Sequence, residues 1–536
     1  MYVADRKTSS SDAAIRAAPQ GWWGRVAGGA VLVLALLLLI PPHGILSENE
    51  ENYFALAERF VAGRAWSPES AVFDSSPHRA LSDATLGKLV STLGYAPTQV
   101  MTRLLVVAGY ALALTALFRV FALSALDAAL VVMAMALFGQ SMFGGEWLFA
   151  NYEAKVIAYI LVLAGLRLVL VAEGLTGATL LFAAATCFHI LVGGFWFVAA
   201  MALRLLGTPR KLRRVAGATA LFLLLVAPLA GVIAWSRLAY RSAALVSDLP
   251  AADVIYSNIR EPFHQSPFLS LGYFVYVWLP GYVMAGGMLA ASLWAAWRGS
   301  TRRLRIAATW LAGLLVFLFL VLGPKYLDRD SGVLGKFYLF RPASLILLLW
   351  LMVTLALTFA VLGRRGRLLR GALLILIAPA FMLNQGSEVV GEMRSHALIE
   401  GRKQELAAAV LRLARPQDIV LIDPELEMGL LDFERRTRRA TWVNWKFAPT
   451  NDAEIFLWYR RMLWQQSIFK QGCGGDSRGP AIAFLLTTPA KVSWLAASCG
   501  PEVARIGEWV LLRRDPNADV GKPEGPARWR RRADRW

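Results

Sequence analysis

Val26-Ala27-Gly28-Gly29-Ala30-Val31-Leu32-Val33-Leu34-Ala35-Leu36-Leu37-Leu38-Leu39-Ile40-Pro41-Pro42 is followed by Ser47-Glu48-Asn49-Glu50-Glu51-Asn52-Tyr53. An uncharged apolar run of that length reads as a membrane span. Arg6, Lys7, Arg16 and Arg25 before it set its start in the cytoplasm. It has no convincing small-residue cleavage site and reads as an uncleaved anchor. The glutamates Glu48, Glu50 and Glu51 then emerge on the opposite face, out of reach of the cytoplasm's soluble nucleotide sugars and ATP.

The rest of the chain repeats this pattern. It has 536 residues, of which 57% are hydrophobic, and a mean hydropathy of +0.49. Both values lie above those of a soluble domain of this size. Apolar runs of about 15–25 residues recur, and in lipid such runs must be helices because only a helix satisfies its own backbone polar groups. The net charge of +19 would suggest nucleic acid in a soluble protein. Here the basic residues cluster in short connectors, so topology and anionic headgroups account for them and no nucleic-acid partner is expected.

Those connectors map the topology. Arg204, Arg210, Lys211, Arg213 and Arg214 form one cluster; Arg298, Arg302, Arg303 and Arg305 a second; Arg364, Arg365, Arg367 and Arg370 a third. Placing all three in the cytoplasm predicts spans near 26–42, 98–122, 125–143, 154–172, 176–190, 191–207, 215–234, 272–297, 306–323, 337–362 and 370–384. Residues 176–207 are read as two short spans, since one long helix would carry the Arg204–Arg214 cluster outside. The expected fold is a polytopic α-helical membrane protein with about 11 transmembrane helices, N-terminus cytoplasmic. The bacterial inner membrane is the expected location.

Residues 1–25 form the cytoplasmic lead and 26–384 the membrane domain, with outer segments 43–97, 235–270 and 324–336. Tyr53, Phe54, Leu56, Ala57, Phe60 and Val61 in the first of these have helical spacing and suit a helix lying along the membrane surface. From about 385 to 536 short buried strands, such as Asp418–Pro424 and Ala481–Leu486, alternate with a helix near Ala453–Phe469. This predicts a soluble periplasmic α/β domain with its own core and a basic tail, Arg528–Arg532. Cys473 and Cys499 fall within it and are disulfide candidates, with two free thiols as the alternative. Cys187, inside a span, reads as a small apolar residue. No CxxC, HExxH, P-loop or Rossmann fingerprint is present.

Several polar residues converge on the predicted outer face. Glu48, Glu50 and Glu51 read either as a solvated loop start or as acid/base groups crowded by like charge, with Tyr53 beside them. Glu146, Glu153 and Lys155, in Gly144-Gly145-Glu146-Trp147 and Asn151-Tyr152-Glu153-Ala154-Lys155, lie between the third and fourth spans; a local Glu153–Lys155 pair is the plain alternative to a ligand site. His189 falls at the turn between the two short spans, where a satisfied structural histidine is the usual reading. Arg260 and His264 are four residues apart, but Pro262 argues against a regular helix between them. Arg341 sits at the outer end of a span, where it either grips a lipid phosphate with its planar fork or snorkels to headgroups.

The order of these features resembles the GT-C membrane glycosyltransferases over roughly residues 26–384: a first span entering from inside, acids at its outer end, a surface helix, a second acidic site after the third span, short paired spans with His189 at their turn, and a soluble domain after the last span. One departure is that the first-loop acid of that superfamily is often Asp or an Asp-Glu pair, whereas Asn49 precedes Glu50 here. Asn151–Lys155 and Trp442-Val443-Asn444-Trp445-Lys446-Phe447-Ala448-Pro449 are also similar to an uncharacterised bacterial membrane-protein family.

The resemblance implies transfer of a sugar from a polyprenyl-phosphate donor to a glycan, lipid or protein acceptor on the periplasmic face. Glu50 would be the base, with Glu48 and Glu51 as alternatives. Tyr53, Glu146, Glu153, Lys155, His189, Arg260, His264 and Arg341 would bind donor or substrate. No cofactor is assigned and a divalent cation is left open. A transporter or flippase for a lipid-linked or anionic substrate, and a non-catalytic envelope scaffold, are the alternatives. The large polar outer segments and the lack of an internal repeat favour an enzyme.

Overall fold

The structure, a computed structural model, describes residues 22–62, 79–144, 146–171, 175–207, 212–239, 249–299, 301–363, 365–473 and 482–515. Arg6, Lys7, Arg16, Gly145, Arg210, Lys211, Arg364, the tail Arg528–Arg532 and residues 63–78 of the first outer segment lie outside them. In chain order the early helices are α1 (Trp22–Leu39), α2 (Glu48–Ala62), α3 (Ala80–Leu93), α4 (Tyr95–Phe118), α5 (Ala125–Leu137), α6 (Ala154–Val171), α7 (Thr176–Phe188), α8 (Ile190–Gly207) and α9 (Leu212–Ala239). Longer later helices are Leu279–Arg298, Arg302–Leu320, Ala343–Leu362 and Arg365–Leu413. Among the described residues nine helices are long and apolar enough to cross a membrane, while α5 and α7 are shorter apolar helices. The chain is a polytopic α-helical membrane protein with a small sheet near its C-terminus.

Three span ends depart from the sequence reading, the first two for a local reason. α5 stops at Leu137 rather than reaching 143, because Gly139 and Gln140 take positive φ values of 75° and 63°, which an α-helix cannot contain. The span expected at 337–362 begins at Ala343, after Tyr338 in a left-handed conformation and Pro342 at the helix start. The last span does not end near 384. It continues as one 49-residue helix to Leu413.

The chain divides into two compact units. The first comprises 1–44, 99–234 and 256–390; the second comprises 45–98, 235–255 and 391–536. Thus the first outer segment groups with the C-terminal residues.

In the first unit α1 packs on α5, and α6, α7 and α8 pack on one another. Capping fixes α5: Ser124 accepts from the Asp127 amide, while the Asp127 carboxylate accepts from the Ser124 N–H at 2.7 Å. Arg370 grips the same fully buried carboxylate through Nε and Nη2 at 2.6 and 3.0 Å. The turn between α7 and α8 is a single non-helical residue, His189. It closes tightly because Gly193 has no Cβ; one there would lie 2.2 Å from the Thr186 amide nitrogen.

The second unit is built on a five-stranded sheet of order β2-β1-β3-β5-β4, with β1 Ile419–Ile422, β2 Ala440–Thr441, β3 Ile482–Thr487, β4 Glu502–Ile506 and β5 Trp509–Arg513. β1 pairs in parallel with β2 and β3, and β5 runs antiparallel to β3 and β4. Side chains alternate across β1. Val420 and Ile422 join Leu406, Val410, Phe484 and Leu511 on one face. Ile419 and Leu421 join Ile468, Leu485, Leu495 and Val510 on the other. Both faces are covered, which explains the uninterrupted apolar run of β1; each fully buried aliphatic side chain stabilises the unit by about 1.5–3 kcal/mol. Cys473 and Cys499 are disulfide-bonded with Cα atoms 4.9 Å apart.

Candidate functional site: a buried carboxylate–guanidinium cluster

In the first unit the loop between α5 and α6 is held rigidly. Gln140 exchanges two hydrogen bonds with the Phe149 backbone, at 2.7 and 3.1 Å, and the Tyr110 hydroxyl donates to the Leu148 carbonyl at 2.6 Å. Gly144, with φ +80°, turns the chain where a side chain would be strained. The loop so braced buries Glu146, which is 1% exposed.

Glu146 is the hub. Its Oε1 accepts from Arg341 Nε at 2.8 Å and its Oε2 from Lys155 Nζ at 3.2 Å. Lys155, on the first turn of α6, also reaches Glu153 at 3.2 Å, so the local pair expected from sequence exists but shares its cation with Glu146. Burial alone pushes the Glu146 carboxyl up; Arg341, Lys155 and His264 outweigh it and hold the group well below the usual carboxylate range.

Arg341 is turned into the protein. Its guanidinium lies 3.9 Å over the Tyr338 ring, Nη1 is 2.9 Å from His189 Nε2, and its side chain is 12% exposed. Nη2 makes no hydrogen bond among the described residues. The Tyr159 hydroxyl donates to the Arg341 carbonyl at 3.3 Å, fixing the backbone that carries the guanidinium.

A second strand of contacts comes from the segment after α9. A π-helical turn, Ile255–Arg260, ends where Pro262 starts a short helix, Pro262–Gln265. The regular helix that Pro262 argued against is indeed broken. Arg260 and His264 nevertheless converge on Glu261, at 3.0 and 3.4 Å. The other ring nitrogen of His264 contacts the Gly144 carbonyl, and Tyr256 and Tyr338 share a hydroxyl–hydroxyl bond of 2.7 Å. Glu146, Glu153, Lys155, His189, Arg260, His264 and Arg341 therefore form one cluster. Sequence reasoning missed Tyr338, Tyr256 and Glu261. Glu261 had a visible signal, since it lies between the two cationic residues already singled out.

In the second unit the three first-segment glutamates have separate surroundings. Glu50 is fully buried in a capping box: its Oε2 accepts from the Ser47 amide and hydroxyl at 2.9 and 3.2 Å, and its own amide faces Ser47 Oγ at 3.4 Å. Glu51 is gripped by Arg435 through Nε and Nη2 at 2.8 and 2.6 Å. Burial pushes the Glu51 carboxyl up, and the opposing pull of Arg435 only partly offsets it. Glu48 is more than half exposed, 3.7 Å from Lys446. The mutual repulsion expected from three crowded acids is thus relieved, because Glu51 and Glu48 each face a cation contributed from far along the chain.

Tyr53 packs its ring under Arg79, 4.2 Å away, and Arg79 pairs with buried Asp83 at 3.2 Å. The apolar face of α2, with Phe54, Ala55 and Leu56, is buried and α2 packs on α3. Among the described residues no group of three or more His, Cys, Asp or Glu side chains is arranged to hold a metal ion.

No protein-family profile matches the chain, and no curated protein matches it. Among solved structures it is similar to ArnT from Cupriavidus metallidurans in the apo state, at 14% identity and TM-score 0.48, covering 94% of this chain and 99% of that one. It is also similar to the archaeal oligosaccharyltransferase AglB from Archaeoglobus fulgidus in complex with an inhibitory peptide and a dolichol-phosphate. That match has 13% identity, TM-score 0.39, and covers 87% of this chain and 70% of the other. At these scores and identities neither likeness bears on activity or on the role of any residue.

Proposed function

We propose that the protein is a membrane glycosyltransferase of GT-C type, moving a sugar from a polyprenyl-phosphate donor to a cell-envelope acceptor on the periplasmic face. The observation that carries this reading is Arg341: a guanidinium buried against Glu146, His189 and Tyr338, with Nη2 uncommitted. A planar donor group held in one orientation suits a phosphate oxygen better than a mobile surface cation does. In the reaction the acceptor oxygen attacks the anomeric carbon, a carboxylate takes its proton, and the bond to the donor phosphate breaks. Arg341, His189 and Lys155 would meet the charge that develops on the departing phosphate.

The base remains assigned to the first outer segment. Glu50 is the preferred candidate, with Glu48 and Glu51 as alternatives; it is buried and held in one orientation by Ser47, whereas Glu51 pairs with Arg435 and Glu48 is more than half exposed. The disulfide in the second unit is in keeping with an oxidising compartment for that unit.

The test is donor binding by purified protein reconstituted in lipid. Arg341→Lys should weaken affinity for a polyprenyl-phosphate sugar, since a point charge cannot reproduce the planar fork. Unchanged donor affinity in that variant would retire the phosphate role. Mass spectrometry of co-purified lipid provides an independent arm, with a polyprenyl phosphate as the expected species.

A further inference from the structure

The run Arg435-Arg436-Thr437-Arg438-Arg439 in the second unit is used on two sides. Its first three residues end the short helix Phe433–Thr437, and Arg438 follows in a left-handed conformation with φ 51°. A bulky residue adopts that conformation only where its surroundings hold it there.

Arg435 and Arg438, three positions apart, both turn to α2. Arg435 grips Glu51 at two points, and Arg438 does the same to Glu58, with Nη1 and Nη2 lying 3.0 and 3.1 Å from its two carboxylate oxygens. Glu51 and Glu58 stand seven residues apart, two turns along one face of α2. Tyr95 touches both arms: its hydroxyl donates to Glu58 at 2.5 Å and its ring lies 5.0 Å from the Arg435 guanidinium. Arg59 adds a pair of reversed sense with Glu434 at 4.0 Å.

Arg436 and Arg439, also three apart, turn to the C-terminal part of the helix Arg365–Leu413. Arg436 Nη1 and Nη2 meet the Glu400 carboxylate at 2.8 and 2.7 Å. Arg439 donates through Nε and Nη2 to the carbonyl of Ala414, the residue after that helix, at 3.2 and 3.0 Å. Asp432 supports the same side, accepting from Lys403 at 3.0 Å. Two-point guanidinium contacts fix orientation as well as distance, since the acceptors must match the planar fork.

We propose that this arginine run is a two-sided bracket that positions α2, and with it Glu50, against the C-terminal part of the helix Arg365–Leu413. The proposal rests on the reading of Glu50 as the base. Glu50 and Glu51 are neighbours in the first turn of α2, so a slide or rotation that releases Glu51 also re-aims Glu50. Arg435 and Arg438 are positioning residues that act through α2. A general base works only within hydrogen-bond reach of its proton, and a misplacement of about 1 Å can cost about a hundredfold in rate.

The experiment uses the full chain in nanodiscs, as wild type, Arg438→Glu, Glu58→Arg, the double reversal and Arg436→Gln. Spin labels at Phe60 of α2 and Leu457 of the helix Asp452–Gln471, both exposed, report the placement of α2 by pulsed electron–electron resonance in a Cys187→Ala background. Turnover is read as polyprenyl phosphate released from polyprenyl-phosphate-linked glucose, galactose or mannose, with an extract of the source membranes supplying the acceptor. Wild type should give one narrow distance distribution. Each single reversal should broaden or shift it and lower kcat about tenfold to a hundredfold with donor affinity unchanged. The double reversal, which restores opposite charges, should return both readouts, and Arg436→Gln should broaden the distribution from the other side. An unchanged distribution in the single reversals or in Arg436→Gln overturns the bracket and leaves the reading of Glu50 intact, and failure of the double reversal to recover does the same. A displaced α2 with normal turnover instead retires Glu50 as the base, and the positioning role falls with it.

Discussion

Arg341 and Glu146 meet at 2.8 Å across 195 residues of sequence, and each is the other's principal counter-charge in a setting that excludes most water. Without Arg341, Glu146 would keep Lys155, a cation it shares with Glu153; without Glu146, Arg341 would lose the carboxylate that it pairs with. Glu146→Leu should therefore destabilise the protein by about 3–5 kcal/mol, and Arg341→Leu similarly. The double variant should recover much of that loss. A thermal-melt cycle over the four proteins checks it, and additive losses would mean the two side chains do not interact.

The same pair sets a pH dependence. The folded pKa of Glu146 lies below its ordinary value of 4.5, so its stabilisation is fully present above about pH 4.5 and fades as pH falls towards the folded value. The Tm difference between wild type and Glu146→Gln should stay constant from about pH 7 to 5 and shrink below that. A gain of wild type on Glu146→Gln as pH falls from 7 to 5 would show instead that the folded carboxyl titrates above its ordinary value.

Glu50 allows a separation of structure from chemistry. A capping box accepts Gln as well as Glu at its third position, so Glu50→Gln should keep the Ser47 contacts and melt like wild type. If Glu50 is the base, turnover should nevertheless fall by about a hundredfold to ten-thousandfold. Normal turnover would leave Glu50 as a helix cap and nothing more.

The disulfide gives a prediction independent of the reaction. Cys473 and Cys499 close a loop across 26 positions of the second unit, and removing such a bridge typically costs about 2–4 kcal/mol. Cys499→Ala should lower the melting temperature, and reductant should do the same to wild type but leave the variant unchanged. Maleimide labelling of both thiols in untreated, non-reduced membranes would contradict the bond.

The sequence carried the helical membrane architecture well, because an apolar run of span length has few alternatives once backbone groups must be satisfied in lipid. Span ends were less legible. Gln140 and Tyr338 stop helices by adopting positive φ, which residue type does not announce. Glu146, His189 and Arg341 could be singled out because polar groups stand out beside apolar runs. Their mutual contact could not, since it depends on how helices distant in the chain pack. Arg435 was invisible for a related reason: it lies in an arginine-rich stretch, Arg435-Arg436-Thr437-Arg438-Arg439, where nothing local says which guanidinium faces an acid.

The 384 positions between Glu51 and Arg435 are also an interval of time. A ribosome adding about 5–20 residues per second needs roughly 20–80 s to reach the arginine after making the glutamate. The contacts between α2 and α3 are local and can form within that interval. Throughout it the Glu51 carboxylate lacks the partner that offsets its burial, so the newly made α2 must keep that edge hydrated. Closure of the first outer segment is thus a late event in biogenesis, and a nascent chain arrested before residue 435 should leave Glu51 open to solvent.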